Sequence, residues 1–229
     1  MENAVIMPLS FAILAYIGTA VFALSGSLMG LNKRMDIIGV AFVATLTGIG
    51  GGTIRDLLIG RTPVTWVTTP NDIFICFAVA ALACIFYRVF MGRTMKWLIY
   101  ADAIGMALFS VLGTAIALRT GSHPIIAILF GAMSATFGGI VRDVICSERP
   151  ILFSKEIYIS AALLGGALFV ALPDTLGFEI RAAIAMSAAA ALRIAALLFS
   201  WSLDFPNYRH AERKSDAEYI MEEMDKDNE

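Results

Sequence analysis

Seven long apolar stretches constrain this 229-residue chain more than any other feature of its sequence. Each is about 17 to 25 residues long, which is the length an α-helix needs to cross the ~30 Å hydrocarbon layer of a bilayer. Because the loops between them are too short for a separate soluble domain, any activity has to lie inside the helical bundle. The sequence therefore predicts an all-α membrane protein with seven transmembrane helices, near residues 8–31, 36–58, 73–91, 97–118, 124–146, 155–173 and 178–203.

The polar remainder excludes several classes of function. Residues 204–229 carry nine acids and four bases, and we expect a solvated cytosolic tail without chemistry of its own. The three cysteines have no CxxC spacing, so neither a disulfide framework nor a metal site is predicted. Hydrolase and phosphate-loop motifs are missing, as is the basic patch of a nucleic-acid-binding protein. We predict no enzyme and no cofactor.

The distribution of lysine and arginine predicts the orientation. The side that holds the N-terminus has three of these residues in its loops and at the neighbouring span ends, and the other side, including the tail, has eleven. Since cytoplasmic loops carry the excess of positive charge, the N-terminus is expected outside and the C-terminus in the cytosol.

An internal repeat relates the two halves of the chain. Residues 18–63 align without a gap to residues 105–150, at an offset of 87, with eleven identities. These include the motif GG-x-x-R-D and a proline seven residues after its aspartate. Each copy contains three spans, so the second copy enters the membrane from the opposite side. The prediction is two inverted three-helix repeats, 8–91 and 97–173, followed by a seventh helix at 178–203.

Glycine clusters fall in the second and fifth spans. Each glycine weakens a helix by about 1 kcal/mol relative to alanine, so we expect both helices to kink or unwind there. Carbonyl groups released in this way have to face protein or a water-filled path. Two broken helices that meet across an inverted repeat indicate a permeation or substrate site. The residues concerned are Gly48, Gly50, Gly51, Gly52, Gly138 and Gly139.

Helical spacing selects further candidates for the lining of such a path. In the second span Thr45 and Asp56 share a face with two of the glycines, and Thr136 and Asp143 form the counterpart in the fifth. The first and fourth spans add Ser25, Ser110 and Thr114. The alternative for any single hydroxyl is close helix packing through small residues; for the glycine clusters we favour the path.

Two Arg-Asp pairs lie one turn beyond the glycines, Arg55-Asp56 and Arg142-Asp143. Charges at this depth have to be paired or hydrated. Adjacent residues point about 100° apart on a helix, so the two members of a pair need not bond to each other, and a carboxylate of the other repeat is a candidate partner for Arg55. A structural clamp and a direct role in ion conduction both remain open. Arg193, in the seventh span, is unassigned; a pair with Asp102 is one possibility.

The motif GIGGGTIRDLLIGRTP and its echo FGGIVRDVICSERP resemble the prokaryotic TRIC (trimeric intracellular cation) channels, a family also labelled as glycine transporters. The resemblance covers residues 8–203. It implies a homotrimer in the bacterial inner membrane, surrounded by lipid, in which each protomer has its own pore for K⁺ and other monovalent cations. Phe137 stands where the first repeat has Gly50, as a constriction residue or a packing residue.

Three functions stay open: a K⁺ channel, a transporter of a small amino acid such as glycine, and a scaffold without transport activity. The small residues Ala183, Ser187, Ala191 and Ala195 of the seventh span fit trimer contacts and intrachain packing equally well.

Overall fold

The computed structural model describes residues 8–153, 157–199 and 201, and the predicted tail at 204–229 lies outside them. Over these ranges the chain is helical, with two short 3₁₀ segments, Ile151–Phe153 and Asp174–Leu176. The α-helices of this part of the chain are α1 Leu9–Asn32, α2 Ile37–Ile59, α3 Thr65–Thr68, α4 Asn71–Ile85, α5 Tyr87–Phe90, α6 Thr94–Arg119, α7 Pro124–Ile145, α8 Ile159–Ala171 and α9 Gly177–Leu198.

Five of the helices, α1, α2, α6, α7 and α9, are long and apolar enough to cross a membrane. The predicted third and sixth spans are shorter than expected. In their place are α4, with 15 residues, and α8, with 13. At 1.5 Å per residue these helices extend about 23 Å and about 20 Å, less than the hydrocarbon thickness of a typical bilayer. The predicted third span ends early because the chain turns at Phe86 and then forms the separate single turn α5.

The fold is centred on α6. Of the most apolar 18-residue segment of α6, 83% is buried inside the structure, against 33–44% of the corresponding segments in the other four long helices. One side of α6 packs on α1 and α9 through a cluster that includes Phe11, Leu112 and Met186. The other packs on α1, α7 and α8 through Phe22 and Phe109, whose rings stack 5.3 Å apart. Since these neighbours leave α6 little lipid contact, it contributes more buried residues than any other helix in the described part of the chain.

Several contacts occur twice, at equivalent positions related by the repeat offset of 87. A Cβ atom built on Gly105 would lie 2.6 Å from the Phe22 ring, and one built on Gly18 would lie 3.0 Å from the Phe109 ring. Helix ends repeat in the same way: the amide of Met35 donates to Gly30 O at 3.0 Å where α1 ends, and that of Ser122 donates to Ala117 O at 3.1 Å where α6 ends.

Candidate functional site

The backbones of α2 and α7 touch where the two helices cross. A Cβ atom on Gly51 would collide with the main-chain oxygen of Ser134, and a Cβ on Gly138 would collide with that of Thr47. A Cβ on Gly50 would lie 3.6 Å from the Cα of Gly138, which is an ordinary contact. Gly51 and Gly138 are therefore glycine because another residue would push the helices apart.

The expected unwinding at the glycines is wrong, and the alternative expectation, a kink, stays a prediction. Both α2 and α7 continue as α-helix through their clusters, from Ile37 to Ile59 and from Pro124 to Ile145. The physical reason is the crossing itself, because a missing side chain allows close helix packing as readily as it allows a break. Packing against a neighbouring helix outweighs the weak helix propensity of glycine.

The first Arg-Asp pair is buried beside this crossing. Arg55 donates from Nε and Nη2 to Asp56 Oδ1, at 3.0 and 2.8 Å. Its Nη1 donates to Ser134 Oγ on α7 at 3.1 Å. The other carboxylate oxygen of Asp56 accepts from Thr65 Oγ1 at 3.2 Å. Arg55 thus links the end of α2 to the middle of α7.

The second pair makes a denser set of bonds. Arg142 donates from Nε to Asp143 Oδ1 at 2.7 Å and from Nη1 to both Asp102 Oδ1 and Ser25 Oγ at 2.6 Å. The Tyr158 hydroxyl donates to Asp102 Oδ2 at 2.7 Å. This network joins α1, α6 and α7 to the start of α8.

These bonds confirm that the intramembrane charges are paired, and they correct the predicted partners. Each arginine bonds within its own motif, because its side chain is long enough to curl back across the 100° between adjacent residues. The partner of Arg55 on α7 is the hydroxyl of Ser134 and not a carboxylate. Arg193 donates to Ile157 O at 3.3 Å, and its guanidinium lies 5.0 Å from the centre of the Tyr158 ring.

A cavity of about 130 Å³ adjoins the first pair. Among its lining residues are Gly48, Gly52 and Asp56 of the predicted polar face. The wall also contains Asp72, which accepts from Thr19 Oγ1 at 3.0 Å. The exposed Arg61 is part of the same lining, so the cavity reaches the end of the bundle where α2 ends.

The counterpart beside the second pair is closed. Thr136, Gly139 and Asp143 share a lining there with Tyr158, but the space they surround holds no water-sized volume. Tyr158 is 3% exposed, and its ring and hydroxyl occupy the region. The two halves of the molecule therefore differ: one polar site is open and the other is filled.

The remaining predicted lining residues lie in helix contacts. Ser110 and Thr114 donate to carbonyls of their own helix, and a Cβ on Gly165 or Gly166 of α8 would lie 2.6 or 2.7 Å from their hydroxyl oxygens. Thr45 likewise bonds to Ala41 O at 2.8 Å. Their role in a path stays a prediction, and so does that of the half-buried Phe137.

Several residues of this site were not singled out from the sequence. Thr47 and Ser134 form the crossing, and their separation by the repeat offset of 87 is a signal that points to both. Thr19, Asp72 and Tyr158 have no such signal, because only the packing of α1, α4 and α8 brings them to the two polar sites.

Comparison with known proteins gives consistent relationships. The profile of the family described as "Glycine transporter" matches twice, at residues 12–88 and 99–174. The UPF0126 inner membrane protein YadS of Escherichia coli (strain K12) is 34% identical over 193 residues, covering 84% of this chain and 93% of that protein.

Solved structures of TRIC channels are also similar to this chain. The TRIC trimeric intracellular cation channel orthologue from Rhodobacter sphaeroides is 42% identical, with a TM-score of 0.79 over 84% of this chain and 99% of that one. A prokaryotic TRIC channel in 0.5 M KCl is 31% identical, with a TM-score of 0.80 over 86% of this chain and 100% of its own. The chain therefore belongs to the family whose profile is described as glycine transporter, and its sequence and fold relate it to the TRIC cation channels.

Proposed function

We propose that this protein is a monovalent cation channel that passes K⁺, with a path inside each protomer between α2 and α7. The observation that carries the proposal is the cavity of about 130 Å³, which extends from Arg61 to Asp56 beside the crossing of the two helices. The relatives of known structure, described as cation channels, support the class of permeant. We propose no enzymatic activity.

The proposed path has two halves. Gly48, Gly52 and Asp56 line the open half, and Thr136 and its neighbours Gly139 and Asp143 line the closed half. Hydroxyl and carboxylate oxygens along it replace part of the hydration shell of a cation. In this proposal the structure is the closed state of the channel, and conduction requires Tyr158 to leave its place beside Asp102.

The Arg-Asp pairs serve in this proposal as clamps. Each arginine is neutralised by the aspartate that follows it, and a further N–H group bonds to a hydroxyl on another helix. The first pair therefore adds little net field to the path, while the second has Asp102 as a further carboxylate. In both, the cross-helix bond fixes the distance between helices.

The architecture we propose is two inverted three-helix repeats, residues 8–91 and 97–173, with a seventh helix at 178–203. The pairs of equivalent contacts that are related by the repeat offset of 87 support it. The two family matches also begin 87 residues apart. In this arrangement α4 and α8 are the third and sixth spans, and their neighbouring turns supply the rest of the thickness.

We further propose a homotrimer in a bacterial inner membrane, with the N-terminus outside. Ala183, Ser187 and Ala191 are exposed on α9, which favours their use in contacts between protomers. The relatives support the location, since the Escherichia coli protein is named an inner membrane protein.

A glycine transporter is the second candidate. The family profile carries that description, and the cavity wall contains an acid, Asp72, and a base, Arg61. A zwitterion pairs its ammonium with the first and its carboxylate with the second.

Purified protein in liposomes separates these functions. Single-channel K⁺ currents support the channel, and slow saturable glycine uptake without currents supports the transporter. If the liposomes show neither K⁺ currents nor glycine uptake, the protein is a scaffold and both proposals are overturned.

A substitution then tests the path. Gly52→Leu fills the cavity with little collision, since a Cβ there meets nothing nearer than Arg55 Nη2 at 3.6 Å. We expect it to reduce K⁺ conductance at least tenfold. Ala41→Leu adds the same kind of side chain to α2 away from the cavity and is the matched control. Equal conductance in the two variants overturns the proposed path.

A further inference from the structure

Basic side chains surround a polar pocket at the end of the bundle opposite the cavity. The pocket has a volume of about 430 Å³ and lies where α1 ends and α6 begins. Arg34, Arg93 and Lys96 are in its lining, together with Tyr87 and Thr94, and among the residues that the structure describes no acid lines it. Two nearby acids have other partners: Asp36 accepts from the Gly39 amide at 2.7 Å, and Glu148 pairs with Lys33 at 2.6 Å. The pocket therefore has a net positive charge.

The start of α6 adds to this field. Its first turn contains Lys96 and no acid, and the residue before it, Arg93, provides no side-chain cap. The first amides of a helix have no acceptor within the helix, and their dipole favours an anion over a cation. A lysine and an arginine at this end are unfavourable unless an anion lies between them.

Arg34 occupies a position that favours glycine. It has a φ of 56°, in the left-handed region, after the last turn of α1. The equivalent residue after α6, 87 positions later, is Gly121, with a φ of 85° and the same pattern of hydrogen bonds. A non-glycine residue costs about 1 kcal/mol or more in this conformation. The arginine at this position thus weakens the fold while adding charge to the pocket.

An apolar groove of about 520 Å³ begins next to the basic pocket. The turn α5 belongs to both, because Tyr87 lines the pocket while Val89 and Phe90 line the groove. From there the groove runs between α1 and α4, along Leu24 and Ala20. Its lining is almost entirely apolar, as an acyl chain requires.

We infer that the pocket and groove together bind one anionic glycerophospholipid, with the phosphate among Arg34, Arg93 and Lys96 and an acyl chain in the groove. A basic pocket at the membrane surface selects for anionic headgroups. In a phospholipid the charged headgroup and the apolar acyl chain are covalently joined, so one molecule can occupy the basic pocket and the adjoining apolar groove together. The site is separate from the ion path and does not depend on ion permeation.

Native mass spectrometry of the detergent-solubilised protein tests the inference. Phosphatidylglycerol and phosphatidylcholine with identical chains are titrated in turn, and inorganic phosphate is the third probe. We expect phosphatidylglycerol to bind at least tenfold more tightly than phosphatidylcholine, and phosphate not to displace it. Equal binding of the two lipids overturns the inference, as does displacement by millimolar phosphate, which would indicate an anion site without a chain site.

Variants sharpen this test. Each neutralised base should weaken lipid binding about fivefold, which corresponds to about 1 kcal/mol per basic residue near a membrane surface. Arg34→Gly should in addition raise the thermal midpoint without lipid, because it removes the left-handed strain. Ala20→Phe fills the groove and should weaken binding while all charges stay. Arg88→Gln, on α5 but outside the pocket lining, is the matched control for charge. The inference is wrong if Arg88→Gln weakens binding as much as Arg34→Gly, or if Ala20→Phe has no effect.

Discussion

Arg142 and Asp102 form an ion pair of 2.6 Å in which neither side chain is more than 2% exposed. A buried charge left without its partner is costly, even where the complete pair contributes little to stability. The pair therefore gives a strong constraint on how α6 and α7 can move apart.

Asp102→Ala should lower the free energy of unfolding by about 2 kcal/mol or more, because Arg142 keeps Asp143 while Arg142 Nη1 and the Tyr158 hydroxyl, two buried donors, lose their acceptor. Thermal unfolding in detergent measures the effect. Asp174→Asn is the control, since Asp174 pairs with Arg181 while 93% exposed, and such surface pairs contribute at most about 1 kcal/mol. Similar losses of unfolding free energy in both variants would show that the burial of the Arg142–Asp102 pair has no special role.

Gly51→Ala should disrupt the crossing of α2 and α7, because its Cβ would collide with the main-chain oxygen of Ser134. Overpacking of this kind costs about 1 to 3 kcal/mol. Gly50→Ala, one residue earlier in the same cluster, has its nearest contact at 3.6 Å and should be tolerated. Size-exclusion profiles and thermal midpoints of the two proteins provide the comparison. If Gly50→Ala is the more damaging, the glycines act through flexibility and not through packing.

Tyr158→Phe should increase K⁺ flux into liposomes. The hydroxyl bonds to Asp102 at 2.7 Å inside the closed half of the proposed path. A hydrogen bond to a charged group contributes about 1.5 kcal/mol or more, so its loss shifts a closed-to-open equilibrium roughly tenfold. Tyr100→Phe removes a hydroxyl elsewhere and should leave the flux unchanged. A lower flux in Tyr158→Phe would mean that the tyrosine supports conduction.

Ser147→Gly should stabilise the protein by about 1 kcal/mol. Ser147 has a φ of 53° after α7, where the position 87 residues earlier is Gly60 with a φ of 81°. Glycine adopts this region without the steric cost that serine has. The reciprocal change, Gly60→Ser, should destabilise by a similar amount, and thermal midpoints of both variants decide. A loss of stability in Ser147→Gly would contradict the argument.

Hydropathy predicted the helices well because long apolar segments have one stable form in a bilayer. The predicted bounds of α1 and α7 differ from the structure by one residue. Those of α4 and α8 were less accurate, since a short helix continued by an apolar turn has the same hydropathy as a longer one.

The site was predicted in part. The repeated motif selected Gly51 and Arg55 as site candidates, and both contact α7 in the structure, but glycine alone does not distinguish a broken helix from a close crossing. The choice depends on which atoms lie opposite, here the Ser134 carbonyl, and no local pattern contains that information. Tyr158 was not predicted to belong to the site for the same reason, because its partner Asp102 is 56 residues away.

The hydroxyl partners of the two arginines have a consequence for biosynthesis. Arg55 bonds to Ser134, 79 residues later, and Arg142 to Ser25, 117 residues earlier. When the first helices leave the ribosome, the side chain that will anchor Arg55 has not yet been translated. The early helices therefore reach their final packing only once α7 arrives, and truncation before that point leaves a product with an incomplete interior.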